Sequence, residues 1–195
     1  MGRRGLMIGF HWATALLVAA SFAIAWYRNS IDDLPLRAFW LDVHRSIGFA
    51  VLALTAMRLT MRWGAGPVSS RGDLPLGMWM ASRATHMLIY AALIAMPLLG
   101  WAQSSARARH FKLFGLPMPS LVRHDSDLAD TLASWHSQVG WVLLGLIGVH
   151  ALAALYHHYV LKDHVLKTML PRPRQRVSAA EAREAAEPQA YDIAA

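Results

Sequence analysis

Ten histidines stand in this chain of 195 residues, against twelve acidic residues. Imidazole is a common metal ligand and a standard axial ligand of haem iron. The chain has no cysteine. That excludes disulfides, thiolate zinc sites, thiolate-ligated haem, covalent c-type haem attachment and iron–sulfur clusters. A metal held by this protein therefore rests on histidine, methionine or carboxylate.

The spacing of the histidines is more specific than their number. His136 and His150 are fourteen residues apart. In an α-helix that separates them by about 21 Å along the axis and returns to within about 40° of the starting direction. Both imidazoles then face the same side of one helix, near opposite ends of a membrane-crossing length. Two stacked haems with irons about 20 Å apart suit that arrangement. Bis-imidazole ligation needs a partner at each level, and the pattern supplies His44 for His136 and His11 for His150. One turn beyond each candidate lies a small residue: Ala15, Gly48, Gly140 and Ala154. Such residues leave room for a flat macrocycle, and they also serve helix–helix packing in membranes. The rival chemistry is a zinc or copper site, which needs three or four ligands at one level. The end that holds His11 and His150 also offers His86, His157 and His158 for it. His86 suits a ligand, a partner to a haem propionate or a proton donor to a quinone. His157 and His158 suit an interfacial pair or a quinone or propionate contact. His110, His124 and His164 lie outside the apolar spans and carry no ligand role.

These residues need long apolar helices to position them. Hydrophobic residues make up 55% of the chain and charged residues 16%, well below the ~25% usual for soluble domains. Four apolar stretches, at about 6–26, 39–61, 84–102 and 132–161, each reach the roughly 20 residues that cross a bilayer. The expected fold is an all-α integral membrane four-helix bundle over 1–170. The first stretch follows Arg3 and Arg4 as a signal peptide would, but Trp26, Tyr27 and Arg28 replace a small-residue cleavage site, so it reads as a retained helix. Placing both termini on the cytoplasmic side puts twelve of the nineteen Lys and Arg residues inside, as the positive-inside rule requires. Residues 171–195 are rich in Ala, Glu, Arg and Pro and read as a disordered cytoplasmic tail. The net charge of +7 reads as topogenic charge and attraction to lipid headgroups; no soluble domain remains to bind nucleic acid.

Several segments together resemble bacterial cytochrome b561. They are His11-Trp12, the His44 to Gly48 stretch, Thr85-His86-Met87-Leu88-Ile89-Tyr90 and Met96-Pro97-Leu98-Leu99-Gly100. Phe114-Gly115-Leu116-Pro117-Met118-Pro119, Ser134-Trp135-His136, Val149-His150-Ala151 and His157-His158-Tyr159 complete the set. The likeness runs from about residue 8 to about residue 171. It implies a multi-pass protein of the bacterial inner membrane with two haem b groups and ubiquinone as electron acceptor. Carried over by position, His11, His44, His136 and His150 are the implied axial ligands. Within that family one activity is superoxide oxidation coupled to quinone reduction. Another role is a haem-bearing anchor that relays electrons from a periplasmic hydrogenase or dehydrogenase, a protein electron donor. Bis-histidine iron has no open position, so superoxide would react by outer-sphere electron transfer. Arg107, Arg109, Lys112 and Arg123 of the third loop would then attract the anion, offset by Asp125, Asp127 and Asp130.

Overall fold

The computed structural model describes residues 2–63, 75–109, 111–113 and 116–170. Arg71, His110, the Phe114-Gly115 part of the loop motif and the 171–195 tail lie outside the described residues. Four long helices dominate: α1 (Arg3–Asn29), α2 (Leu34–Trp63), α3 (Leu76–Ala106) and α4 (Ser126–Tyr159). The short α5 (Val165–Thr168) follows α4. Local chemistry sets their starts. The Asp33 carboxylate accepts the Leu36 N–H at 2.8 Å at the head of α2. Asp125 does the same for Leu128 at 3.0 Å at the head of α4. Pro75 precedes α3 directly and lacks only a backbone donor that a first turn leaves unused. The helices therefore outrun the apolar stretches: α3 begins at Leu76 rather than near 84, and α4 at Ser126 rather than near 132.

Helices α1, α3 and α4 are long and apolar enough to cross a membrane. Helix α2 is long enough but less apolar. Asp42 and Arg45 stand before its middle and Arg58 and Arg62 after it, leaving residues 46–57 uncharged, about 18 Å of helix. The expected 39–61 stretch is thus a helix whose ends are charged. Large apolar side chains face outwards along the helices, among them Leu16, Trp141, Val142 and Leu152, each at least 60% exposed. Water does not solvate so continuous an apolar surface, whereas lipid does. This is a membrane protein.

Sequential helices pack: α1 on α2, α2 on α3, α3 on α4. Helix α4 stands apart from the first two; among the described residues it brings no Cα within 8 Å of α1 or α2. Side chains fill the space between. Val18, Val51, Ala92, Leu93 and Leu143 form the buried central cluster. Val18 lies seven residues after His11, Val51 seven after His44, and Leu143 seven from both His136 and His150. Seven residues are about two helical turns. The apolar cluster is therefore a layer midway between two histidine levels.

Each end of the helices is closed differently. Between α3 and α4, β1 (Lys112–Leu113) pairs antiparallel with β2 (Leu116–Pro117). This hairpin segment is tied down by three bonds: Trp101 Nε1–H to the Pro119 carbonyl at 2.9 Å, the Leu121 N–H to Ser105 Oγ at 3.1 Å, and His124 Nδ1 to the Ala106 carbonyl at 2.8 Å. At the N-terminal end, Trp12 Nε1–H donates to the Met169 carbonyl at 2.7 Å and Arg3 to the Met61 carbonyl at 2.8 Å. Those bonds hold α1 to the chain around α5 and to the end of α2.

Candidate functional site

The structure brings the four spacing-predicted histidines together as two pairs. The His11 and His150 ring centroids are 6.2 Å apart with planes 69° to each other. His44 and His136 show the same 6.2 Å and 69° at the hairpin end. The pairs span α1 to α4 and α2 to α4, the helices whose backbones stay apart. An imidazole nitrogen binds a first-row metal at about 2 Å, so two imidazoles on opposite sides of one ion place their centroids about 6 Å apart. By this separation, both pairs could hold a haem iron between them.

The hairpin-end pair is held by specific neighbours. His44 Nδ1 lies 3.1 Å from the Ser21 carbonyl and 3.2 Å from Ser21 Oγ. An Nδ1–H donated to that carbonyl leaves the Nε2 lone pair for a metal, the usual second bond of a ligating imidazole. His136 packs on the backbone of α3 at Gly100. A Cβ there would sit 3.3 Å from its Cε1 and 3.6 Å from its Nδ1. That Nδ1 is buried without a hydrogen-bond partner. Arg45, one residue after His44, pairs with Asp42 at 2.7 Å and stacks over the buried Phe111 ring at 4.9 Å.

The N-terminal-end pair is looser. His86 adds a third imidazole, its centroid 5.1 Å from His150 with planes at 83°. Its Nδ1 is 2.6 Å from the Ser82 carbonyl, within its own helix. His86 therefore leans edge-on against His150. Among the described residues no group of three His or acidic side chains is placed to hold a metal ion, so the zinc or copper rival finds no cluster. His157 lies off this level and bonds Asp163 in the α4–α5 turn. Together with the Val165 N–H, that bond holds the Asp163 carboxyl below the usual carboxylate range, the His157 bond being the larger cause. His158 stacks edge-on against Tyr159, and its Nδ1 is buried without a partner.

Two of the four small residues, Gly48 and Gly140, face α3. A Cβ on Gly140 would meet Met96 Cε at 3.4 Å, and one on Gly48 would meet Pro97 Cβ at 3.9 Å. The small residue that an imidazole needs is Gly100, which spacing from the histidines does not reveal. Ser21 is equally silent in the sequence, because the group that His44 meets most closely is a backbone carbonyl. Of the basic loop residues, Arg107 is engaged by Asp130 at 2.6 Å, whereas Arg109 and Arg123 are exposed. The side chain of Lys112 lies outside the described residues.

Comparison with known proteins finds relatives over nearly the whole chain. The prokaryotic cytochrome b561 family matches residues 3–172. The chain is 37% identical to the probable superoxide oxidase CybB of Yersinia pestis, over 87% of this chain and 96% of the relative. It is 30% identical to cytochrome b561 homolog 1 of Escherichia coli (strain K12), over 85% and 94%. It is 29% identical to cytochrome b562 of Cereibacter sphaeroides, over 89% and 97%. A lone match would weigh less than these near full-length likenesses taken with two matched imidazole pairs in apolar helices. The chain belongs to the prokaryotic cytochrome b561 family of haem b electron-transport proteins.

Proposed function

We propose that this protein is a di-haem superoxide:ubiquinone oxidoreductase of the bacterial inner membrane. The observation that carries it is the pair of matched imidazole couples, each at 6.2 Å, with an apolar layer between them. Residues 1–170 form a four-helix transmembrane bundle, with both termini and the 171–195 tail on the cytoplasmic side. His11 with His150 and His44 with His136 would hold two haem b groups, one at each level. When bound, these groups supply a reversible one-electron couple at each level.

The reaction balances simply. Two superoxide anions give up one electron each and leave as dioxygen. Ubiquinone takes the two electrons with two protons from water and becomes the quinol. The residues of the chain arrange this. With two histidines holding each group, superoxide would give up its electron without binding the iron. The exposed Arg109 and Arg123 draw an anion to the periplasmic hairpin end, an effect that salt screens. Superoxide oxidation is named for the Yersinia pestis relative. The Escherichia coli and Cereibacter sphaeroides relatives are named only as cytochromes. The second reading is a haem-bearing anchor that relays electrons from a periplasmic hydrogenase or dehydrogenase.

The test is a reduced-minus-oxidised spectrum with haem quantification, followed by superoxide decay with added quinone. Two b-type haems per chain and quinone-dependent removal of superoxide are expected. Two haems with no such removal would leave the relay reading; an absence of haem would overturn both.

A further inference from the structure

At the N-terminal-end level the structure holds buried polar groups that the ligand pairs do not use. Arg58 is fourteen residues after His44 on α2, the same interval that separates His136 from His150 on α4. It therefore shares the face of His44 and reaches the level of His11 and His150. Its guanidinium lies over the Tyr90 ring at 5.6 Å, one turn along α3 from His86. The Nε of Arg58 is buried and has no partner. None of the ion pairs among the described residues includes it.

Thr55, three residues earlier, lies on the same face. It is 1% exposed, and its Oγ1 is likewise buried without a partner. Buried helical hydroxyls elsewhere in this chain fold back onto the carbonyl four residues before. Thr14 bonds Phe10, Ser104 bonds Gly100 and Ser105 bonds Trp101. Thr55 does not. Two buried donors, one cationic, left open on adjacent turns are costly unless a ligand completes them. A carboxylate is the partner that a guanidinium and a hydroxyl recognise together.

We infer that Thr55 and Arg58 form the anion-binding wall of the N-terminal-end site and pair with a propionate carboxylate of the haem held by His11 and His150. This rests on the proposed ligation. At the hairpin end the neighbouring Arg45 has a carboxylate partner, Asp42, although its Nε is also buried without one; Arg58 has no carboxylate partner among the described residues. A positive charge beside one haem favours its reduced form. Of the two haems, the one between His11 and His150 is the one whose potential Arg58 raises.

The experiment is an equilibrium redox titration of the full-length chain in detergent, with haem counted per chain. Arg58→Gln is expected to move one midpoint to lower potential and leave the other in place, and Arg58→Lys to restore most of that shift. Thr55→Val, which conserves volume, covers the case in which the glutamine variant does not fold. It is expected to move the same midpoint in the same direction by less, or to speed the loss of one haem. Unchanged midpoints and two retained haems in either variant would overturn the role of Thr55 and Arg58, as would a shift of both midpoints together. A wild-type chain that binds no haem would instead sink the ligation itself.

Discussion

The two histidine levels have the same ring separation and different surroundings. At the hairpin end Ser21 meets His44, Gly100 lies under His136 and Asp42 pairs with Arg45, while Arg45 Nε and His136 Nδ1 stay buried without partners. At the N-terminal end His11 and His150 have no such anchors among the described residues, His86 leans on His150, and Arg58 Nε and Thr55 Oγ1 are buried without partners. The hairpin-end pair is the more closed by its own protein, through Ser21 and Gly100, whereas the N-terminal-end pair has a third imidazole and a cation in its surroundings.

The largest expected effect comes from removing a ligand. His136→Ala should lower the haem content from two per chain toward one, measured by pyridine haemochrome against protein. His150→Ala should do the same while sparing the hairpin-end spectrum. If either variant keeps both haems, the pairing is wrong and the comparison fails with it. Gly100→Ala tests the closed level more finely. The new methyl presses on His136 Cε1 at 3.3 Å, so that ring must shift by a few tenths of an ångström. Haem affinity at that level should fall on the order of ten-fold, as it does when groups that orient a ligand are disturbed. A competitive haem-transfer assay reads it, and the other level should be untouched.

His86→Phe should leave two haems and alter only the N-terminal-end signal, visible in low-temperature spectra. Loss of a haem would promote His86 from neighbour to ligand. The smallest effect belongs to Asp163, whose carboxyl is held below its usual range by the His157 bond and the Val165 N–H. A depressed carboxylate stabilises the folded turn at pH above its unfolded value of about 3.9, and that contribution is lost as pH falls through the depressed one. Hydrogen exchange in α5 should rise on acidification below about pH 4, and Asp163→Asn should raise it already at neutral pH. Neither change should reach the hairpin-end haem.

The levels were also unequally legible in the sequence. The fourteen-residue interval in α4 fixes two imidazoles on one face because a helix has a constant pitch, and the pairs follow from matched depth. Three membrane-length helices follow from apolar runs alone. The helix starts at Leu76 and Ser126 do not, because Pro75 and Asp125 set them in polar surroundings where hydropathy carries no signal. Helix α2 reads as apolar by count, yet its charged residues gather at the levels of the histidines. The use of Gly100 needed the packing of α3 on α4. The bond from His44 to Ser21 is mainly to a main-chain oxygen, which every residue has.

The apolar layer of Val18, Val51 and Leu143 also makes the molecule an electrical device. The side chains of that layer among the described residues are apolar and offer protons no hydrogen bonds, whereas an electron needs none. In the proposed orientation, turnover from the hairpin-end level to the N-terminal-end level would therefore carry net charge through the membrane. Moving one electron inward against an interior-negative potential takes about 2.3 kcal/mol per 100 mV across the full thickness. In sealed vesicles the rate should fall as that voltage is imposed and recover when an ionophore collapses it. An enzyme that removes superoxide in this way would work hardest in a cell whose membrane is poorly energised.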